Sequence, residues 1–201
     1  MSGSSAGGPG QLESGRFHVP TPAFLFDLDG TLVDSVYQHV AAWQEALTAC
    51  GIPLSVWRIH RRIGMSGGLF LSALQRETGV TLDAETLTRL STLHREGYLS
   101  RAGSVVPLPG ARELLRALSD HEAPFAIATS SAQKVAEVGL ALLELPDHVP
   151  VVTRDLVERA KPDPHLFLAA AERCTSAPPG PSWWATASGT SSLPSGRALS
   201  A

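Results

Sequence analysis

Asp27 and Asp29 stand two residues apart, directly after the apolar run Ala23-Phe24-Leu25-Phe26 and directly before Gly30. Two carboxylates at that spacing in one tight loop can share a hard cation. Mg²⁺ takes oxygen ligands, commonly one or two carboxylates together with a phosphate. Gly30 lets the chain turn where a side chain would block it. Farther on, Thr129 and Ser130 follow a second apolar run, and Lys161 opens the loop Lys161-Pro162-Asp163-Pro164 after a third. A hydroxyl can hydrogen-bond a phosphoryl oxygen, and an ammonium can neutralise one. Phosphoryl transfer needs mainly positioning and charge stabilisation, and this set of groups offers both. Singly, each residue has an ordinary explanation as a solvated turn, a strand former or an exposed loop lysine. Their succession after three apolar runs points to one site.

The elements that must position these groups are legible in the hydrophobic pattern. Residues 23–26, 124–129 and 149–153 are short apolar runs that end in polar loops, the pattern of buried parallel strands. After Ser35 the period becomes helical: Val36, Val40, Trp43 and Leu47 share a face, and Gly51 supplies a stop. Further helices are expected over residues 66–78 and 83–99. Asp83 is the N-cap of the latter, with Leu87, Leu90, Leu93 and His94 following. A turn at Leu108-Pro109-Gly110 precedes an amphipathic helix over 111–121 with Leu114, Leu115 and Leu118. Helices over 132–143 and 166–174 complete an alternation of strands and helices, which implies right-handed βαβ units and a parallel sheet. The expected fold is α/β, a doubly wound parallel sheet with an α-helical cap inserted after the first strand. In such sheets ligands bind beyond the carboxyl ends of the strands.

Composition narrows the class of function. The chain of 201 residues is 43% hydrophobic and 17% charged, which suits a folded domain. Its formal net charge is −3, and no basic run exceeds Arg61-Arg62, so neither nucleic acid nor an anionic membrane is an expected partner. Two cysteines, Cys50 and Cys174, are too few for a disulfide framework and read as buried hydrophobes in a reducing compartment. Residues 1–15 lack the apolar core of a secretory signal, and no apolar run approaches the roughly 20 residues of a membrane span. The expectation is a cytoplasmic protein, a monomer or weak dimer.

The run Phe24-Leu-Phe-Asp-Leu-Asp-Gly-Thr-Leu-Val-Asp-Ser35 resembles the first signature of the haloacid dehalogenase-like hydrolases. Within that superfamily it is similar to the capped phosphatases that include phosphoglycolate phosphatase and β-phosphoglucomutase. The resemblance implies that Asp27 is a nucleophile forming an aspartyl-phosphate. Asp29 is implied as general acid and then base, its carbonyl and the Asp27 carboxylate as Mg²⁺ ligands. Thr129, and the backbone at Ser130, would hold phosphoryl oxygens, and Lys161 would bridge nucleophile and phosphate. His39 and Trp43 sit at the offsets where β-phosphoglucomutase-like members carry His and Trp, so His39 could couple substrate binding to cap closure. Residues 63–68 align with the specificity loop of such caps. Mutases place an arginine near Gly67, and its absence argues against a substrate with two phosphates; Arg58, Arg61 and Arg62 read first as a solvated helix face and second as cations that could replace it. The implied activity is Mg²⁺-dependent hydrolysis of a small phosphorylated metabolite.

The resemblance runs over about residues 22–174 and then ends. The family continues with a fourth strand and an acidic motif that supplies a further metal carboxylate, but no Asp or Glu follows Glu172. The codons permitted by Trp183-Trp184 and the residues after them, read two bases later, allow Val-Gly-Asp-Ser-Val-Trp-Asp, so a shifted frame near Pro181 is expected. The expected organisation is a leader over 1–21, a core over 22–34 and 105–182, a cap over 35–104 and an aberrant tail over 183–201, with the core's C-terminal strands missing. Asp155, Glu158 and Asp163 are the candidates to replace the missing carboxylate. The competing expectation is a catalytically impaired remnant that binds phosphate or a partner. A receiver module ranks last, because it would need its acceptor on a middle strand and no inserted cap.

Overall fold

A computed structural model describes residues 22–159 and 161–176. In chain order its strands are β1 (Phe24–Phe26), β2 (Val33–Asp34), β3 (Val106–Pro107), β4 (Phe125–Ala128) and β5 (Val151–Val152). The helices are α1 (Val36–Ala49), α2 (Val56–His60), α3 (Gly67–Thr78), α4 (Ala84–Leu99), α5 (Ala111–Asp120), α6 (Gln133–Leu140) and α7 (His165–Ser176).

Strands β1, β4 and β5 form a parallel sheet in the order β1-β4-β5, with Phe24 opposite Phe125 and Ile127 opposite Val151. All four residues of the central strand β4 are buried, and their alternation assigns the two faces. Phe125 and Ile127 join a core with Leu115 and Leu118 of α5 and Val135 and Ala136 of α6. Ala126 and Ala128 face the other way and pack with Val152 and with Leu166 and Ala170 of α7. Helices on both faces make the sheet doubly wound, as the alternation of periods requires.

Between β2 and β3 the chain forms a helical bundle. Val40, Trp43 and Leu47 of α1 pack with Ile59, Phe70, Leu71, Leu74 and Leu90, and the Trp43 and Phe70 rings stack at 4.3 Å. The Asp83 side chain accepts from the Thr86 amide at 2.7 Å, the cap that starts α4. Gly51, at φ 69°, reverses the chain after α1. The bundle's entry and exit are tied together: Val33 pairs with Pro107 and Asp34 with Val106 in antiparallel register, and the Leu108 amide donates to the Leu32 carbonyl at 2.9 Å.

Several elements differ from the sequence reading. The β2–β3 pair and helix α2 are too short to leave a periodic signal. Helix α6 stops at Leu140, and β5 is only Val151–Val152. Leu114 of α5 is 44% exposed, so the buried stripe is Ala111, Leu115 and Leu118. Both cysteines are half-buried and free rather than fully buried. The expected leader over 1–21 and tail over 183–201 lie outside the described residues. Among the described residues β1 is an outer strand of its sheet, and no helix is long and apolar enough to cross a membrane.

Candidate active site

The loop after β1 is a small knot fastened by its apolar residues. Leu28 and Leu32 are buried in the core, and the Leu28 carbonyl accepts from the amides of Thr31, Leu32 and Val33. Gly30 sits at φ 76°, its amide donating to the Val33 carbonyl at 2.8 Å. A Cβ there would lie 2.7 Å from Val36 Cγ2. The loop therefore packs against the start of α1 only because residue 30 has no side chain. With Leu28 turned inward, its neighbours Asp27 and Asp29 point out over the carboxyl edge of the sheet.

Asp27 Oδ1 lies 2.5 Å from Lys161 Nζ and accepts from the Leu28 amide at 2.8 Å. Among the described residues nothing donates to its Oδ2. Asp29 is enclosed. Its Oδ1 takes the Ser35 hydroxyl at 2.7 Å and faces His39 Nε2 at 3.2 Å. Its Oδ2 takes the Ser131 hydroxyl at 2.8 Å, with Thr129 Oγ1 at 3.4 Å. Burial alone would raise the Asp29 pKa, but the hydrogen bond and charge of His39 and the hydroxyls of Ser35 and Ser131 outweigh it. They pull it down to about 2. Asp29 is therefore a carboxylate at neutral pH.

Above these groups lies a cavity between the sheet edge and the helical bundle, lined by Asp27, Asp29, His39, Trp43, Ile63, Gly64, Met65, Ser130 and Ser131. Ser130 is 8% exposed and its hydroxyl has no partner among the described residues. A buried hydroxyl without a partner is costly unless a ligand or water satisfies it. The structure thus brings together Asp27, Asp29, His39, Thr129, Ser130 and Lys161. Gly30 stays outside the cavity, its amide spent within the loop. Arg62 is buried and paired with Glu77 and the Arg58 carbonyl, while Arg58 and Arg61 lie over the Trp57 ring. Among the described residues no arginine lines the cavity.

Sequence reasoning missed Ser35, Ser131 and the link from His39 to His94. The signal for Ser131 is its place in Thr129-Ser130-Ser131 at a strand end. The signal for His94 is a polar residue on the apolar stripe of α4. The donors for a hard cation fit in kind but not in number. The Asp27 carboxylate and Asp29 carbonyl are suitable oxygens. Among the described residues no cluster of three His, Cys, Asp or Glu could hold a metal. Two of the expected replacements are committed elsewhere: Asp155 accepts from the Gln133 amide at 2.7 Å, and Asp163 accepts from the His165 amide and pairs with Arg159.

The family model for haloacid dehalogenase-like hydrolases matches residues 21–180. The chain belongs to this family. A crystal structure of a hydrolase from Pseudomonas syringae superposes with a TM-score of 0.74 at 52% identity, covering 78% of this chain and 71% of the other. Hexitol phosphatase A of Escherichia coli is 32% identical over 157 residues, covering 77% of this chain and 69% of that protein. Fructose-1-phosphate phosphatase of the same species is 31% identical over 150 residues, covering 74% and 78%. The fold and the hydrolase class expected from the Asp27–Ser35 signature are therefore those of its relatives. The two Escherichia coli relatives are named as phosphatases.

Proposed function

We propose that the protein hydrolyses a small phosphate monoester through an aspartyl-phosphate on Asp27. The observation that carries this reading is the contact of Lys161 with Asp27 Oδ1 beside a cavity that also contains the orphaned Ser130 hydroxyl. With Oδ1 held by Lys161 and the Leu28 amide, Oδ2 attacks phosphorus. The bond to the leaving alcohol breaks as Asp29 delivers a proton to it. The incoming dianion repels the ionised Asp29 and so favours its protonation once substrate is bound. In the second half, Asp29 takes a proton from water, the water oxygen bonds to phosphorus, and the acyl-phosphate bond breaks to restore Asp27. Ser130 donates to a phosphoryl oxygen, as Thr129 is expected to do, although its hydroxyl faces Asp29 and accepts from the Ser131 amide at 3.0 Å. Mg²⁺, held by the Asp27 carboxylate and the Asp29 carbonyl, would neutralise phosphoryl charge when bound.

The walls opposite the carboxylates are Trp43, Ile63 and Met65, with no cation among them. They suit a monophosphate whose leaving group is small and neutral, such as a phosphorylated carbohydrate or a related metabolite. p-Nitrophenyl phosphate hydrolysis with and without Mg²⁺ tests the reading. Asp27→Asn should abolish turnover with the fold intact, because an amide of the same shape does not attack phosphorus. Activity in that variant well above a mock preparation would remove Asp27 from the role. The incomplete donor set favours a second reading, in which the site binds phosphate with impaired turnover. Binding of inorganic phosphate without hydrolysis at millimolar Mg²⁺ would select it.

A further inference from the structure

We propose that Phe167, in the first turn of helix α7, is a positioning residue for the phosphoryl site: the face of its ring holds the Lys161 ammonium beside Asp27 without using any of the N–H groups that a phosphate needs. This rests on the reading of Lys161 as a phosphoryl ligand. Lys161 Nζ lies 4.9 Å from the centre of the Phe167 ring and 2.5 Å from Asp27 Oδ1. The nitrogen itself is buried, and no described residue accepts an aligned hydrogen bond from it. Its charge therefore rests on two neighbours of different kinds, a carboxylate and an aromatic face. The local fold fixes the ring. Leu166 and Ala170 are fully buried against Ala126, Ala128 and Val152 of the sheet, and Phe167 packs half-buried at the edge of that cluster. The Asp163 carboxylate accepts from the His165 amide at 3.0 Å and pairs with Arg159, while the Leu168 amide donates to the Pro164 carbonyl at 2.9 Å. These contacts turn the chain so that the Lys161 side chain comes back over residue 167.

A lysine ammonium is a point charge on a long flexible stem, so a carboxylate alone attracts it without fixing where it sits. Water, which ordinarily solvates the charge, does not reach Nζ. The negative face of an aromatic ring attracts a cation within about 6 Å, and most strongly where water is excluded. A ring also differs from a hydrogen-bond acceptor. A carbonyl or a second carboxylate would claim an N–H and compete with the incoming anion, whereas a ring face steadies the charge and leaves every N–H free. The donors stay available to Asp27 and to a phosphoryl oxygen, and the ammonium is in place before the anion arrives. Packing alone asks only for apolar volume at position 167, which leucine supplies as well. The cation asks for a ring face, and the two demands are separable.

The test replaces Phe167 with phenylalanines carrying one, two and three ring fluorines, which drain negative potential from the face with little change of shape. Inorganic phosphate is the probe, titrated by calorimetry at constant ionic strength. Its dissociation constant should rise stepwise with fluorine number, by about tenfold from none to three. Phe167→Leu should lose about as much, and Phe167→Tyr should keep the original affinity. Thermal unfolding midpoints should fall along the fluorine series, and that trend should vanish in a Lys161→Met background, where the ring has no cation to hold. Equal phosphate affinity across the series, or a thermal trend that persists in Lys161→Met, would show that Phe167 only packs and would overturn the proposal. A flat series in a protein that binds phosphate overturns this proposal alone. Failure of the unsubstituted protein to bind phosphate overturns the reading of the site and the proposal with it.

Discussion

Ser35, His39, Thr129 and Ser131 converge on one carboxylate, and that crowding separates the functions of neighbouring residues in a way that substitution can read. Asp29→Ala should cost most with esters of poor leaving groups, since only those need a proton in the transition state. Equal losses on p-nitrophenyl phosphate and an alkyl phosphate would contradict the acid role. Ser130→Ala should behave differently. Its hydroxyl has no partner among the described residues, so removing it should leave stability unchanged or raise it by up to about 1 kcal/mol. It should weaken inhibition by inorganic phosphate about tenfold. A large drop in thermal stability would mean that the hydroxyl has a structural partner instead. At this scale the sequence made Asp27, Asp29, Thr129, Ser130 and Lys161 visible, because polar residues that end apolar runs stand out. Ser35, Ser131 and His94 were not visible as site residues, because serine in a turn and a lone histidine on a helix stripe are common where no site exists.

The elements that bring these residues together depend on short, exact fits. Gly30→Ala would introduce a side chain at positive φ and push Cβ into Val36 Cγ2. The expected cost is about 1–3 kcal/mol from strain and overlap. Turnover should fall with it, because the knot that aims Asp27 and Asp29 must open. Wild-type stability and rate in that variant would show that the loop has slack. Long periodic segments such as α1, α3 and α4 were legible because three or more turns repeat the same apolar stripe. Strand β4 was legible because it is buried on both faces. The two-residue strands β2, β3 and β5 were unreadable or overextended, since pairing between distant segments, not local pattern, creates them. The side of α5 that packs was similarly unclear: Leu114 joined the predicted stripe but lies at its rim, 44% exposed.

For the molecule as a whole, His94 makes acid sensitivity measurable. The fold favours its neutral form, with a pKa near 3 against the ordinary 6.5 of the unfolded chain. The unfolded state therefore binds more protons between those values. Stability is complete above about pH 6.5 and falls on acidification, by at most about 1.4 kcal/mol per pH unit from this group. Asp29, held near 2 against 3.8, adds to the loss only below pH 3.8. Urea unfolding at pH 7 and pH 5 should show the decline in the wild type and a flatter profile in His94→Gln; parallel profiles would assign the decline to other groups. The ladder between Val33–Asp34 and Val106–Pro107 has a different consequence. The whole helical bundle leaves and re-enters the sheet domain through two strands about 5 Å apart, the spacing of any antiparallel pair. To the rest of the chain, residues 35–105 are equivalent to the loop of a hairpin. The far end of such a cassette, away from Ser35 and His39 that touch Asp29, can be lengthened or exchanged without moving a strand of the sheet.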